Sequence, residues 1–335
     1  MERLNSKLHQ LAACLAVIAY AASGCSKAPP CRAPSSDISE SSPAAYTKVS
    51  LHTAGEAPES MAAWIRTPLE TFFGCGASGE VEISCTADYR ASVFLAINIP
   101  GCSASILPED LIADISQVRL PDIPATGVIN GYMLERGPQT ISIRAVRKLA
   151  KIEFGEVENL LEEAPYAGSR IILDSLFVIN GKGRFKVFDY DDLSGIGNWF
   201  MPSGARGQAL GQMDLPAISE ADLGGIPLDW GKKVNLGKTI YTGPNNTLYD
   251  RYSREAGQGW APRMTRAVLA CRIGGRRCYY PITIEEITEN TCYRIKKLTL
   301  KNFGVTAPDL PFSFDSEAIG FELADWDEVH VGEII

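Results

Sequence analysis

The sequence is poor in histidine and carries no excess of positive charge. It contains only three histidines, His9, His52 and His330, in 335 residues. So few imidazoles leave little material for histidine-based catalysis or for a histidine-rich metal site. The formal net charge is -8 at pH 7, which gives no electrostatic basis for binding nucleic acid or an anionic lipid surface. We therefore expect no nucleic-acid partner.

The sequence also lacks the local motifs of common hydrolases, since neither G-x-S-x-G nor H-E-x-x-H occurs. Gly74–Gly79 matches the nucleotide-binding pattern G-x-G-x-x-G, but it precedes Glu80–Ser84, which alternates like a strand. We interpret it as a glycine-rich hairpin turn, because a dinucleotide site needs the motif to open a helix. The acids Asp189, Asp191 and Asp192 lack the glycine and glutamate spacing of a calcium loop and indicate a solvated loop. We expect no enzyme, no metal and no cofactor.

The apolar run near the N-terminus is too short to span a bilayer. Leu11–Ala22 follows Arg3 and Lys7 and has the length of a signal-peptide core. It ends in Ala22-Ser23-Gly24-Cys25, which resembles a bacterial lipobox with alanine where leucine is usual. The resemblance implies that residues 1–24 are a signal peptide and that Cys25 is lipidated and anchors the chain to a membrane. The alternative is an ordinary secretory signal with an incidental cysteine.

Residues 25–45 are rich in serine, proline and alanine and show no periodicity, so we expect a flexible tether. Export would permit disulfides further along the chain. Cys271 and Cys278 flank the turn Gly274-Gly275 and would face each other across a hairpin. A disulfide and a pair of free buried thiols are both compatible with this spacing, which is not a zinc pattern.

Short alternating segments separated by turn residues dominate the chain from residue 46 onward, which favours an all-β fold. We predict a first sandwich over residues 46–185 and a second over residues 186–335. The spacing also predicts one short helix, Pro108–Val118. The predicted strands are Tyr46–Thr53, Trp64–Phe73, Val81–Cys85, Ala91–Ile99, Val128–Leu134, Ile171–Ile179, Thr239–Thr242, Arg266–Ile273, Arg277–Ile284, Cys292–Leu300, Phe312–Phe314, Ile319–Leu323 and Val329–Ile335.

Ile141–Phe154 shows alternation that changes phase. Ile141, Ile143 and Ala145 share one parity, whereas Ala150, Ile152 and Phe154 share the other. A period of two that slips by one residue predicts either a β-bulge or a strand that changes sheets. We interpret the interleaved basic residues as a solvated face rather than an anion site.

Five segments, in order, resemble those of the Bacteroidales fimbrillins, the subunits of type V pili. They carry an Asn-x-Pro turn, an Arg-x-x-Ala-Lys-Ile strand, a Tyr-x-x-Pro-Asn segment, a Tyr-Tyr-Pro strand and a Pro-Asp-x-Pro turn. The resemblance covers the chain from about residue 46 to the C-terminus. The segments are Ala91–Pro100, Arg147–Phe154, Ile240–Thr247, Cys278–Ile284 and Asn290–Pro311.

This resemblance implies two transthyretin-like β-sandwich domains in tandem, in a lipoprotein exported to the outer membrane and cell surface. It further implies partners that are other pilus subunits and a surface receptor. In the family a protease removes the first strand, and a neighbour's C-terminal strand fills the groove. Tyr46–Thr53 would be the released strand, and Ala318–Ile335 the donor, with Val329, Val331 and Ile334 filling the groove. The alternative is that both are ordinary terminal strands.

One departure from the family concerns the cleavage site. No arginine or lysine lies between Thr53 and Ile65, where an arginine-specific cut would fall. One hypothesis is an uncut, lipid-retaining subunit at the base of a pilus. The other is cleavage at Arg66 or at a non-basic site.

A second class of function is a monomeric glycan-binding lipoprotein of the outer membrane. Four aromatic residues in segments rich in glycine and proline could stack on sugars. They are Trp199, Phe200, Trp230 and Trp260.

Overall fold

A computed structural model describes residues 46–52, 58, 60–77, 79–188, 199–200, 215–246, 264–314, 318–326 and 329–331. The expectations for Cys25, the acids at 189–192, Trp260 and Ile334 lie outside these residues. No helix in the described part is long and apolar enough to cross a membrane.

The described residues form strands and short 3-10 turns, which confirms the all-β prediction. The strands are β1 (Tyr46–His52), β2 (Met61–Arg66), β3 (Thr71–Gly76), β4 (Glu80–Thr86), β5 (Tyr89–Ile97), β6 (Ile112–Asp114), β7 (Ala125–Leu134), β8 (Gln139–Ile141), β9 (Ile143–Arg147), β10 (Ala150–Asn159), β11 (Ile171–Ile179), β12 (Gly181–Lys182), β13 (Arg184–Lys186), β14 (Trp199–Phe200), β15 (Glu220–Leu228), β16 (Lys233–Thr242), β17 (Thr265–Ile273), β18 (Arg276–Ile284), β19 (Thr291–Leu300), β20 (Ile319–Asp325) and β21 (Val329–Val331).

The N-terminal sandwich pairs a three-stranded sheet, in the order β4-β1-β8, with a six-stranded sheet, in the order β21-β9-β7-β5-β2-β3. The two sheets share one buried core, because alternate residues of each strand point inward. Val49 and Ile83 contribute from the first sheet, and Ile65, Val93 and Ile143 contribute from the second.

The C-terminal sandwich consists of two four-stranded sheets, in the orders β16-β10-β19-β20 and β15-β11-β17-β18. Ile152 and Ile295 from the first sheet and Leu173 and Leu269 from the second lie in one core cluster. Trp64 of β2 belongs to the same cluster, so the outer face of the six-stranded sheet packs against this core. The prediction of tandem sandwiches is therefore confirmed.

The phase change within Ile141–Phe154 is a change of sheet rather than a bulge. The chain leaves β9 in the N-terminal sandwich, bends at Lys148-Leu149 and enters β10 in the C-terminal sandwich. Because the described partners of β10 and β11 all lie in the C-terminal sandwich, we propose a domain boundary at this bend, whereas the sequence analysis predicted it after residue 185.

The predicted helix at Pro108–Val118 is wrong. Two 3-10 turns, Pro108–Asp110 and Ile115–Gln117, flank the short strand β6 instead. Leu111, Ala113 and Ile115 are buried, whereas Ile112 is 42% exposed. Alternate residues therefore face the core, and the spacing of 111 and 115 that suggested a helix also fits this period of two.

Three smaller predictions also need correction. Trp64–Phe73 is a hairpin of β2 and β3, turned at Thr67, whose Oγ1 accepts hydrogen bonds from the N–H groups of Leu69 and Glu70. Phe312–Phe314 is not a strand, and its two rings pack on Tyr280. The glycine-rich segment connects β3 to β4 in the facing sheet, so it is not a hairpin turn, and no helix follows it.

Candidate functional site

The first strand occupies the centre of its sheet. All seven residues of β1 pair antiparallel with β4, and Val49–Leu51 pair in parallel with β8. The first described strand is thus inserted between two others, and the backbone of Val49–Leu51 is paired on both sides. Its removal would therefore leave two unpaired strand edges.

The side chains of β1 alternate as the sequence predicted. Val49 and Leu51 are 0% exposed, and Thr47 is 2% exposed. Val81 and Ile83 of β4 and Ile141 of β8 lie in the same core cluster. The space that β1 fills, which we call the β1 slot, is thus an apolar groove with β4 and β8 as its walls.

Polar contacts fix the register of β1 at its N-terminal end. The Thr47 hydroxyl donates to the Gly137 carbonyl, and Gln139 Nε2 donates to Thr47 Oγ1 over 3.0 Å. Lys48 and Glu82 form an ion pair with a 2.6 Å separation, but the two side chains are 53% and 48% exposed. Such a solvated pair contributes only about 0–1 kcal/mol, so apolar burial dominates the binding of β1.

The C-terminal strand lies on the other sheet of the same sandwich. Val329–Val331 of β21 pair antiparallel with Ile143–Ala145 of β9, so Val329 lies opposite Ala145 and Val331 opposite Ile143. The preceding strand, β20, belongs to the C-terminal sandwich. The chain therefore crosses back to the N-terminal sandwich before it ends.

Sequence analysis missed the residue that fixes this crossing, Trp326. Its ring lies 4.9 Å from the Arg147 guanidinium, and the Tyr241 ring centroid lies 5.6 Å away. The Trp326 N–H donates to the Asn290 carbonyl, and Asn290 Nδ2 donates to the Trp326 carbonyl. The Asn290 N–H in turn donates to the Leu149 carbonyl at the bend before β10. The only sequence signal for this role is a tryptophan just before the last alternating segment.

Arg66 is the last residue of β2, and strands pair with it on both sides. Its backbone lies opposite Thr71 of β3 and Ser92 of β5. Its guanidinium donates to Glu109 over 2.6 Å and lies 5.2 Å from the Phe94 ring centroid. The hydrogen bond from Arg66 lowers the pKa of Glu109. A protease binds an extended, unpaired segment, so cleavage here would require β2 to separate from both neighbours.

Cys271 and Cys278 lie directly opposite each other on β17 and β18, and both are 0% exposed. The structure contains them as free thiols. Burial raises the pKa of both, in the case of Cys278 to about 11. The disulfide and the free-thiol alternatives both remain predictions.

Trp230 is the only one of the four candidate aromatics whose side chain the structure describes. It is 53% exposed in the turn between β15 and β16, which lie in the two facing sheets of the C-terminal sandwich. The backbone of Trp199 and Phe200 pairs with β12. The structure therefore does not show these aromatics forming one sugar-binding face, and in its described part no His, Cys, Asp and Glu residues group as a metal site.

Comparison with solved structures identifies the fold. The fimbrilin FimA from Porphyromonas gingivalis W83 has a TM-score of 0.61 at 14% identity, and the match covers 86% of this chain and 99% of that one. Two candidate cell adhesion proteins from Parabacteroides distasonis have TM-scores of 0.59 and 0.56 at 12% and 13% identity. These matches cover 84% and 87% of this chain and 99% and 98% of those chains.

No family model matches the sequence, and no curated protein matches it. At such low identity the structural similarity establishes the fold. The chain therefore has the tandem-sandwich fold of fimbrilins and cell adhesion proteins of the Bacteroidales.

Proposed function

We propose that this protein is a structural subunit of a bacterial surface pilus, assembled by strand exchange between subunits. The central position of β1 supports this proposal most strongly, because β1 is the first strand of the described residues and is enclosed between β4 and β8. Loss of β1 would expose an apolar groove with two unpaired edges, and a strand from another subunit could restore both. This mode of binding is β-augmentation.

The burial of its apolar side chains gives an approximate free energy for the binding of β1 in its slot. Val49 and Leu51 are 0% exposed, and full burial of two such side chains contributes about 3–6 kcal/mol. A donated strand of similar length and alternation would gain a comparable amount, together with the ladder hydrogen bonds. The C-terminal strand of a second copy fits this role, because Val329 and Val331 alternate in the same way.

We further propose that the subunit keeps β1 and its lipid on Cys25, as a pilus base subunit would. The absence of basic residues between Thr53 and Ile65 supports this, as does the pairing of Arg66 on both sides. The N-terminal sequence of the protein from cells tests it. We expect a blocked, lipidated Cys25, whereas a start at Thr67 or within residues 54–65 would overturn the base-subunit proposal.

Strand exchange can be tested with purified protein. The chain carries a specific protease sequence inserted between residues 53 and 58 and is freed of the β1 peptide after cleavage. The control is the same cleaved chain without residues 327–335. We expect an SDS-resistant ladder only when the C-terminal residues are present. Persistent monomers of the cleaved chain, or an equal ladder from the truncated chain, would contradict the proposal.

A further inference from the structure

The segment Gln139–Arg147 pairs with both ends of the described chain. Gln139–Ile141, which form β8, pair with Val49–Leu51 of β1. Ile143–Ala145 of β9 pair with Val329–Val331 of β21. A single residue, Ser142, separates the two pairings.

This segment behaves as one continuous strand that runs from one sheet to the facing sheet. Ile141, Ile143 and Ala145 are 2%, 1% and 0% exposed and lie in the same core cluster. Ser142 and Arg144 between them are exposed. Unbroken alternation across the join means that both pairings depend on the same extended backbone.

The β8 part of the segment depends on β1. In the sheet order β4-β1-β8, β8 lies at the end, and β1 is its one strand partner in the described structure. Gln139 Nε2 also donates to Thr47 Oγ1 of β1. Without β1, three residues of β8 would have no ladder, and an unpaired strand of this length is not stable in water.

The β21 strand depends in turn on β9. In the sheet order β21-β9-β7, β21 lies at the end, and its ladder involves three residue pairs. The preceding Trp326 contacts Arg147 at the end of β9, but it is also held by Tyr241 and Asn290, which lie outside β9. Loosening of β9 would therefore release β21 while Trp326 and β20 remain in place.

We propose that Gln139–Arg147 couples the two ends of the chain, so that β1 in its slot holds β21 on the same subunit and loss of β1 releases β21. This inference rests on the proposed strand exchange and adds an order to it. A subunit that has lost β1 presents its C-terminal strand to a neighbour more readily than a subunit that keeps β1, so an uncut base subunit would donate its strand more slowly than a cut one.

Hydrogen–deuterium exchange on monomers tests the coupling. The protein is the mature chain with a protease sequence between residues 53 and 58, measured before cleavage and after removal of the β1 peptide, with the monomer isolated by size-exclusion chromatography immediately before labelling. We expect amide exchange at 329–331 to become at least tenfold faster, with 319–325 unchanged. Exposure of β4 and β8 amides without any change at 329–331 would overturn the proposal.

A reciprocal measurement leaves the β1 slot filled and so does not depend on how the cut protein folds. Coupling between two binding events is reciprocal, so deletion of residues 327–335 should speed exchange at 47–51 by a similar factor. The variant Leu323→Ser, at a side chain that is 62% exposed on β20, is the matched control and should leave 47–51 unchanged. Unchanged exchange at 47–51 in the truncated chain would overturn the coupling.

Both exchange measurements report on contacts within one monomer, whereas the ladder reports on contacts between subunits. A negative result in one experiment can therefore be distinguished from a negative result in the other. A ladder between subunits with no coupling within them would leave the proposed function standing. Coupling without a ladder would refute strand exchange alone.

Discussion

Truncation of Leu51 should destabilise the N-terminal sandwich far more than loss of a charge on the same strand. Leu51 is 0% exposed and lies between Val81 of β4 and Ile141 of β8 in register. Leucine-to-alanine substitution in a packed core costs about 2–5 kcal/mol, because transfer free energy is lost and a cavity is left. We expect Leu51→Ala to fall in this range.

The matched control for this prediction is Lys48→Ala, three residues earlier on the same strand. The Lys48 side chain is 53% exposed and pairs with Glu82 across solvent, so its removal should cost no more than about 1 kcal/mol. Urea unfolding monitored by circular dichroism, with hydrogen exchange at β1 and β4, measures both variants. A cost below about 1 kcal/mol for Leu51→Ala would show that β1 is not a packed core strand.

Three further predictions concern the C-terminal sandwich and the segment that follows it. Trp326→Ala should lower the free energy of unfolding by about 1–3 kcal/mol, through lost cation–π and ring contacts, and a change in the urea midpoint within error would contradict this. Burial opposes the charge of Glu153, but hydrogen bonds from Lys151 and Arg294 lower its pKa to about 2. Its stabilising effect should therefore be complete above about pH 4.5 and lost toward pH 2. Glu153→Gln should make the urea unfolding midpoint depend less on pH between about 2 and 4.5. A pH profile identical to that of the unsubstituted protein would refute this prediction. Cys278, with a pKa of about 11 and 0% exposure, should resist iodoacetamide at pH 8 in the folded protein, as peptide mapping can show. Rapid alkylation would contradict its burial.

Periodicity predicted the local features of the site because they depend on which face of a strand is buried. The alternation of Val49 and Leu51 identified β1, and the phase change after Ala145 marked the position of the irregularity, although it did not distinguish a β-bulge from the change of sheet that the structure has. Pro108–Val118 failed because residues four apart share a face in both a helix and a strand.

The pairing partners could not be predicted from the sequence. The parallel contact between β1 and β8 joins residues about 90 positions apart, and β21 meets β9 across more than half of the chain. Alternation indicates a buried face but carries no information on which strand lies alongside. The contact of Trp326 with Arg147 likewise depends on long-range topology.

Replacement of β1 by a C-terminal strand can be measured with a peptide. A peptide of residues 318–335 is added to the cleaved chain that has lost β1, and hydrogen exchange is followed at β4 and β8. We expect the peptide to restore protection at both strands and a scrambled peptide to leave them unprotected. Unrestored exchange at β4 and β8 with saturating peptide would contradict it.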